Sequence, residues 1–161
     1  MELTVRAPQT ESEWTAYYDL RFRVLRQPWG QPIGSERDNS EDNAYHFALY
    51  NEATLIAVVR LDEKNQSEFQ VRYMAVEPSH QGQGMGKILF EYVMDYCASK
   101  NAAEIILHAR EIAIPFYSAM NFEIVEKSAQ VFLKFGVRAV TMDDLARELG
   151  MSKKTIYKFF S

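Results

Sequence analysis

Hydrophobic positions change period several times along the chain, and each change marks an element. Glu2 to Ala7 (ELTVRA) reads as a short strand ended by Pro8. Thr10-Glu11-Ser12-Glu13 is a capping box, the signature of a helix start. Trp14, Tyr17, Tyr18, Phe22 and Leu25 then give that helix an apolar stripe, which closes before Pro28. Gln27 to Asn43, with two prolines, two glycines and clustered Ser, Asn and Asp, reads as loop and carries Trp29 and Arg37. Tyr45 to Tyr50 and Thr54 to Asp62 are strands joined by the turn Asn51-Glu52-Ala53. The polar stretch Glu63 to Glu68 turns into a third strand, Phe69 to Val76, completing an antiparallel meander. Beyond residue 87, Ile88, Leu89, Tyr92, Val93, Tyr96 and Cys97 recur at helical spacing. Glu104 to His108 is a continuous apolar run of the kind buried in a sheet. A short helix over Ile114 to Met120, with Asn121 as its cap, and a strand over Phe122 to Glu126 follow.

The candidate chemistry sits between the third strand of the meander and the helix after it, at Gln81-Gly82-Gln83-Gly84-Met85-Gly86-Lys87. A glycine-rich turn entering a helix leaves backbone N–H groups pointing at one spot, where the helix dipole adds attraction for an anion. Glycines let the chain approach that anion without a Cβ in the way. A P-loop is excluded because Ile88, not Ser or Thr, follows Lys87. The dinucleotide fingerprint is absent too, since the glycines run G-x-G-x-G and no acidic residue stands at the expected distance. A pyrophosphate cradle and a turn that holds no ligand remain, and the flanking strand and helix favour the cradle.

Gln81, Gly84 and Gly86, preceded by Met74-Ala75-Val76-Glu77-Pro78, resemble the Gln/Arg-x-x-Gly-x-Gly/Ala signature of the GNAT superfamily of N-acyltransferases. A second anchor is Ala113-Ile114-Pro115-Phe116-Tyr117 followed by Met120-Asn121-Phe122, in which Asn121 replaces the usual glycine. Asn also adopts a left-handed cap, so the departure is mild. The element order agrees with that fold from about Leu3 to about Lys127.

The resemblance implies acetyl-coenzyme A as cosubstrate and an amine of a small molecule or peptide as acceptor, with direct transfer between them and no metal. The backbone of Gly82 to Lys87 and the Lys87 charge would bind pyrophosphate, and Met74, Ala75 and Val76 would pair with the pantetheine arm. The Val76 N–H would polarise the thioester carbonyl. Tyr117 matches the tyrosine that gives a proton to the departing thiolate, against the alternative of a packing aromatic. Where relatives carry a glutamate base, this chain has Arg72 and Tyr73. His108 is the best replacement, with Glu111 and His46 behind it, although a lone histidine is often structural. Arg110 stands where relatives often have an asparagine contacting the coenzyme, which puts that contact in doubt. The loop over Gln27 to Asn43 would face the acceptor.

After Lys127 the character changes. Thr141 and Ser152 read as N-caps of two short helices, Gly150 as the tight turn between them, and Leu145, Ala146, Leu149 and Ile156 as their inner face. This pattern resembles the helix-turn-helix of TetR-type repressors, with Ala129 to Gly136 as the end of that module's first helix. Residues 129–140 also alternate partly as a closing strand would; the helix is favoured, which leaves a sheet edge for a neighbour or a second subunit to cover. Lys153, Lys154, Thr155, Tyr157 and Lys158 would lie on or near the outer face of the recognition helix and touch phosphates, or form only a solvated basic cap. A single module would bind DNA weakly and with steep salt dependence.

Composition limits the rest. The 161 residues, 47% hydrophobic and 13% aromatic, suit one packed domain with a small appendage. Net charge −4 with a pI near 5.4 argues against a nucleic-acid or membrane surface over the whole chain, although residues 136–161 are net positive. No run is long enough to cross a membrane, and a cytoplasmic setting is expected. The one cysteine, Cys97, reads as a core residue.

The expected architecture is therefore α/β (α+β). Residues 1–128 form a mixed, mostly antiparallel sheet flanked by helices, and residues 129–161 a small all-α tail. The expected activity is N-acyl transfer; the rivals are a DNA-binding regulator that senses acyl-coenzyme A and an inactive fusion.

Overall fold

The computed structural model describes residues 1–109, 114–119, 123–125 and 155–160. They fall into two compact units, residues 1–102 and residues 103–161.

In the first unit, β1 (Leu3–Arg6), β2 (Tyr45–Asn51), β3 (Thr54–Asn65) and β4 (Glu68–Val76) pair antiparallel in sequence order. Two fifteen-residue helices cover this sheet, α1 (Glu11–Leu25) and α2 (Met85–Ser99). Side chains of β2 alternate between the helices: Ala48 and Tyr50 pack with Tyr17 and Leu20 of α1, whereas Phe47 meets Tyr92 and Tyr96 of α2. Because both faces are covered, β3 is buried without a break from Ile56 to Asp62.

The capping box forms: Thr10 Oγ1 accepts from the Glu13 N–H at 3.2 Å. Glu13 also takes both Arg6 guanidinium nitrogens at 2.8 Å, which holds its carboxyl down at about 2 and ties β1 to the start of α1.

Three local features depart from the sequence expectation. β3 runs on to Asn65, because a two-residue turn stapled by the Ser67 N–H donating to Asn65 Oδ1 at 3.0 Å suffices where a longer polar turn was expected. The buried stripe of α2 is Met85, Leu89, Val93 and Cys97 with Phe90, whereas Ile88 and Tyr92 are 38% and 43% exposed. On α1, Leu20 and Arg21 join Tyr17 in full burial, and the expected Trp14 and Tyr18 pack at the edge of that core.

The second unit contains β5 (Glu104–Ala109), α3 (Ile114–Ala119), β6 (Glu123–Val125) and β7 (Thr155–Phe160). β7 lies antiparallel to both β5 and β6, from Glu104 opposite Phe160 to Ala109 opposite Thr155 and with Ile124 opposite Tyr157. This corrects the helical expectation for these residues, because Thr155, Tyr157 and Lys158 lie on a strand. Thr, Ile, Tyr and Phe are strong strand formers, and β7 satisfies backbone groups along an edge of β5 and an edge of β6. Lys153, Lys154 and the segment 129–140 lie outside the described residues, as do Arg110, Glu111 and Asn121.

Candidate functional site

β4 runs through Glu77 and a short 3₁₀ turn, Pro78–His80, into the glycine-rich loop. Two glutamine side chains brace the loop: Gln81 Nε2 donates to the Val76 carbonyl at 3.0 Å and Gln83 Nε2 to the Ser79 carbonyl at 2.8 Å. Gly82 and Gly84 take left-handed φ of +74° and +81°, which an L side chain adopts only under strain. Gly84 is the N-cap of α2 and provides no side-chain cap. Among the described residues, none accepts a hydrogen bond from the backbone N–H groups of Gly82 to Lys87. A row of donors at the positive end of a fifteen-residue helix suits an anion.

Within this row the residues contribute differently. The Met85 side chain is buried in the core, so its backbone alone faces the loop, and Gly86 has an ordinary helical φ. Lys87 is exposed and meets Glu91 at 3.7 Å, a pair loose enough to be redirected to a ligand.

One turn upstream, β4 is kinked. Val58 faces Ala75 but Arg60 faces Arg72, so Tyr73 and Met74 together oppose Val59 in a β-bulge. Tyr73 has φ of +52°, a conformation that costs an aromatic residue roughly 1–3 kcal/mol. Three guanidinium groups hold its ring: Arg21 at 4.0 Å, and Arg60 and Arg72 at 5.3 Å each. Such strain persists where the surroundings over-determine it, which marks the Tyr73–Val76 segment as a place where backbone direction matters.

The same arginines belong to a buried ionic cluster that the sequence did not reveal. Arg21 and Arg60 are fully buried. Glu41 receives Arg21 in a two-pronged pair at 3.0 and 3.1 Å and Arg60 at 2.7 Å. Arg60 also grips Asp62 at 2.6 and 2.8 Å and Asp38 at 2.8 Å, and Arg72 approaches Asp38 at 3.4 Å. Burial alone would raise the Glu41 carboxyl, but the hydrogen bonds and charge of Arg21 overcome it, and the group stays below its ordinary value. Since Asp38 and Glu41 lie in the loop between α1 and β2, the cluster fastens that loop to the sheet beside the kink.

His46 closes the edge of this network. Its Nε2 bonds the Glu41 carbonyl at 2.8 Å and its Nδ1 meets the Tyr17 hydroxyl at 3.1 Å. Burial pushes its pKa down. With both nitrogens engaged it is a structural histidine rather than the base that was one of the expectations. Cys97 is likewise a core residue, its thiol pushed up to about 12 by burial.

Of the remaining sequence candidates, Met74, Ala75 and Val76 form the end of β4, joined to the loop through Glu77 and the 3₁₀ turn. Tyr117 lies in α3, and His108 lies in β5 opposite Ile156. Among the described residues, no group of three or more His, Cys, Asp or Glu could hold a metal, and no helix is long and apolar enough to cross a membrane.

Comparison with known proteins gives the class. Residues 11–122 match the acetyltransferase (GNAT) family, and residues 124–161 match the tetR family of bacterial regulatory proteins. The chain therefore belongs to the GNAT family of acetyl-coenzyme A-dependent N-acetyltransferases. It is 25% identical over 138 residues to glucosamine 6-phosphate N-acetyltransferase of Trypanosoma brucei brucei, covering 81% of this chain and 82% of that one. It is 20% identical over 137 residues to the N-alpha-acetyltransferase RimI of Mycobacterium tuberculosis, covering 83% and 86%. The fold is shared with a Bacillus subtilis acetyltransferase solved in complex with CoA, at a TM-score of 0.70 and 17% identity, over 99% of both chains.

Proposed function

We propose that the protein transfers an acetyl group from acetyl-coenzyme A directly to the amine of a small molecule or peptide. The observation that carries this reading is the unpartnered row of N–H groups from Gly82 to Lys87, presented on left-handed glycines next to a kinked strand. That row would grip the coenzyme's pyrophosphate, with Lys87 adding charge. Met74 to Val76 would run beside the pantetheine arm, and the Val76 N–H would receive the oxygen that becomes negative when the amine attacks. Tyr117 would protonate the leaving thiolate and His108 would take the proton that the amine sheds. Holding two reactants in one geometry, rather than covalent chemistry by the protein, supplies most of the acceleration.

Thiol release from acetyl-coenzyme A in the presence of a panel of amines tests the activity. Tyr117→Phe is expected to lower kcat about 10²-fold, within the range of general acid catalysis, while coenzyme A affinity is unchanged. Full activity in that variant removes Tyr117 from the mechanism.

The tetR match supports a second reading, in which residues 124–161 contact DNA and the acetyltransferase part reports on acyl-coenzyme A. Lys153 and Lys154 would then supply the contacts, and pairing of two chains would raise the affinity. DNA binding that weakens steeply with salt and is lost on Lys153→Glu with Lys154→Glu is the expected result; salt-independent or absent binding removes this reading.

A further inference from the structure

Arg72 stands opposite Arg60, so a regular strand would go on to place Ala75 opposite Ala57; instead Val76 stands there and Ala75 faces Val58. The one extra residue, taken up at the bulge, reverses the direction of every N–H beyond it. The Glu77 N–H donates to the Ile56 carbonyl at 2.8 Å, so in an alternating ladder the Val76 N–H points away from β3. Without the bulge, Val76 would stand opposite Ile56 and turn its N–H onto β3. Whatever holds the bulge therefore aims Val76. The bulge turns on Tyr73, whose φ of +52° a tyrosine rarely adopts unaided.

The three arginines at the Tyr73 ring are not equivalent. Arg72 is its neighbour on the same strand and moves with it. Arg60 lies 5.3 Å from the ring centroid, with its nitrogens engaged by Asp38, Glu41 and Asp62. Arg21 comes from α1, in the other layer, and lies closer, at 4.0 Å. The Glu41 carboxylate fixes its two terminal nitrogens at 3.0 and 3.1 Å, which sets the guanidinium plane and leaves a face for the ring. Its Nε is buried with no hydrogen-bond partner among the described residues, so hydrogen bonding alone does not account for where the group sits.

Resting on the acetyltransferase reading above, we propose that Arg21 is a positioning residue for the coenzyme arm: stacked on Tyr73, it holds the bulge that turns the Val76 N–H away from β3. Fully buried, Arg21 reaches no ligand itself. It acts through the tyrosine ring and the backbone to which that ring is attached. The ion pair with Glu41 keeps the cation in place, and the cation–π contact passes that placement to the strand.

Calorimetry on the folded full chain, comparing acetyl-coenzyme A with ADP, tests this, because ADP carries a diphosphate for the loop but has no arm. Arg21→Met is expected to weaken acetyl-coenzyme A about tenfold and to leave ADP within about twofold, since only the arm depends on the bulge. Tyr73→Leu, which leaves the ionic cluster intact but removes the ring, is expected to do the same. Tyr73→Asn is expected to keep the parent's preference, because asparagine takes a left-handed φ more readily, and to restore that preference when added to Arg21→Met. An arginine that only stabilised the fold would show no such rescue. Should circular dichroism find Arg21→Met unfolded, Arg21→Lys, which keeps the charge beside Glu41 without the flat face, is read in its place. Equal weakening of the two ligands, an unchanged preference in either Arg21→Met or Tyr73→Leu, or no rescue by asparagine overturns the proposal, while acetyl-coenzyme A binding by the parent leaves the acetyltransferase reading standing. A parent that binds neither ligand overturns both.

Discussion

Replacing Glu41 by Gln keeps its shape and removes one charge from a cluster in which three cations, Arg21, Arg60 and Arg72, balance three anions, Asp38, Glu41 and Asp62. Arg21 and Arg60 are 0% exposed, so water cannot take over the lost interaction. One amide oxygen can still accept from one guanidinium, but not from both, and Arg21 Nε already has no partner. Breaking a buried pair by removing one side costs about 3–5 kcal/mol, against 0–1 kcal/mol for an exposed pair. For a chain of this length that corresponds to a fall in Tm of about 6–20 °C. Urea denaturation followed by tryptophan fluorescence, with Lys87→Ala as the exposed control, measures it. Adding Arg21→Met to Glu41→Gln should recover part of the loss, because the uncompensated cation goes with it. A Glu41→Gln protein within 0.5 kcal/mol of the parent, or a purely additive double variant, refutes the reasoning.

Gly84→Ala places a Cβ in open space but at φ of +81°, so it is expected to cost about 1–2 kcal/mol of stability through strain alone and to weaken coenzyme A at least tenfold, as calorimetry would show. Burial depresses the His46 pKa, so between that value and its ordinary 6.5 the unfolded chain binds the extra proton. Stability should therefore fall as pH drops below about 6.5 and level off once folded His46 titrates; His46→Gln should flatten this part of a Tm–pH curve. The carboxyl of Glu41 titrates below its ordinary value, so its contribution is complete above about pH 4.5 and is lost as pH falls further; a Tm–pH curve for Glu41→Gln should lose this acid limb. Cys97, buried with its thiol at about 12, should resist iodoacetamide at pH 8 in the folded protein and react at once in urea, as mass spectrometry would record.

Local signals were legible in the sequence, and interactions between distant residues were not. Thr10 and Glu13 announce the start of α1 because a cap is satisfied within four residues, and Gly82 and Gly84 announce the loop because few other residues take their φ. The buried face of α2 was placed only in part: Leu89, Val93 and Cys97 lie on it as expected, but periodicity reveals only that a helix is amphipathic, and Ile88 and Tyr92, which are exposed, look as apolar as the buried Met85 and Phe90. Arg21, Arg60 and Asp62 read as ordinary polar positions, since nothing local shows that Glu41, some twenty residues away from each arginine, will meet both. Tyr73 gave no sign of its left-handed backbone, which depends on three arginines from three elements. The tail is the instructive case. Thr155 to Phe160 carries the sequence of a repressor helix, and its β-branched and aromatic residues equally suit the strand it forms between β5 and β6. Pairing partners, invisible in a linear pattern, decide between the two.

The central claim is that the loop from Gly82 to Lys87 holds a diphosphate. Calorimetric titration of acetyl-coenzyme A and of acetyl-pantetheine, which shares the thioester arm but has no diphosphate, into the folded protein tests it most directly. The coenzyme is expected to bind one per chain and at least 100-fold tighter than acetyl-pantetheine, a gap that closes in Gly84→Glu. Equal affinity for the two, or no binding of either, contradicts it.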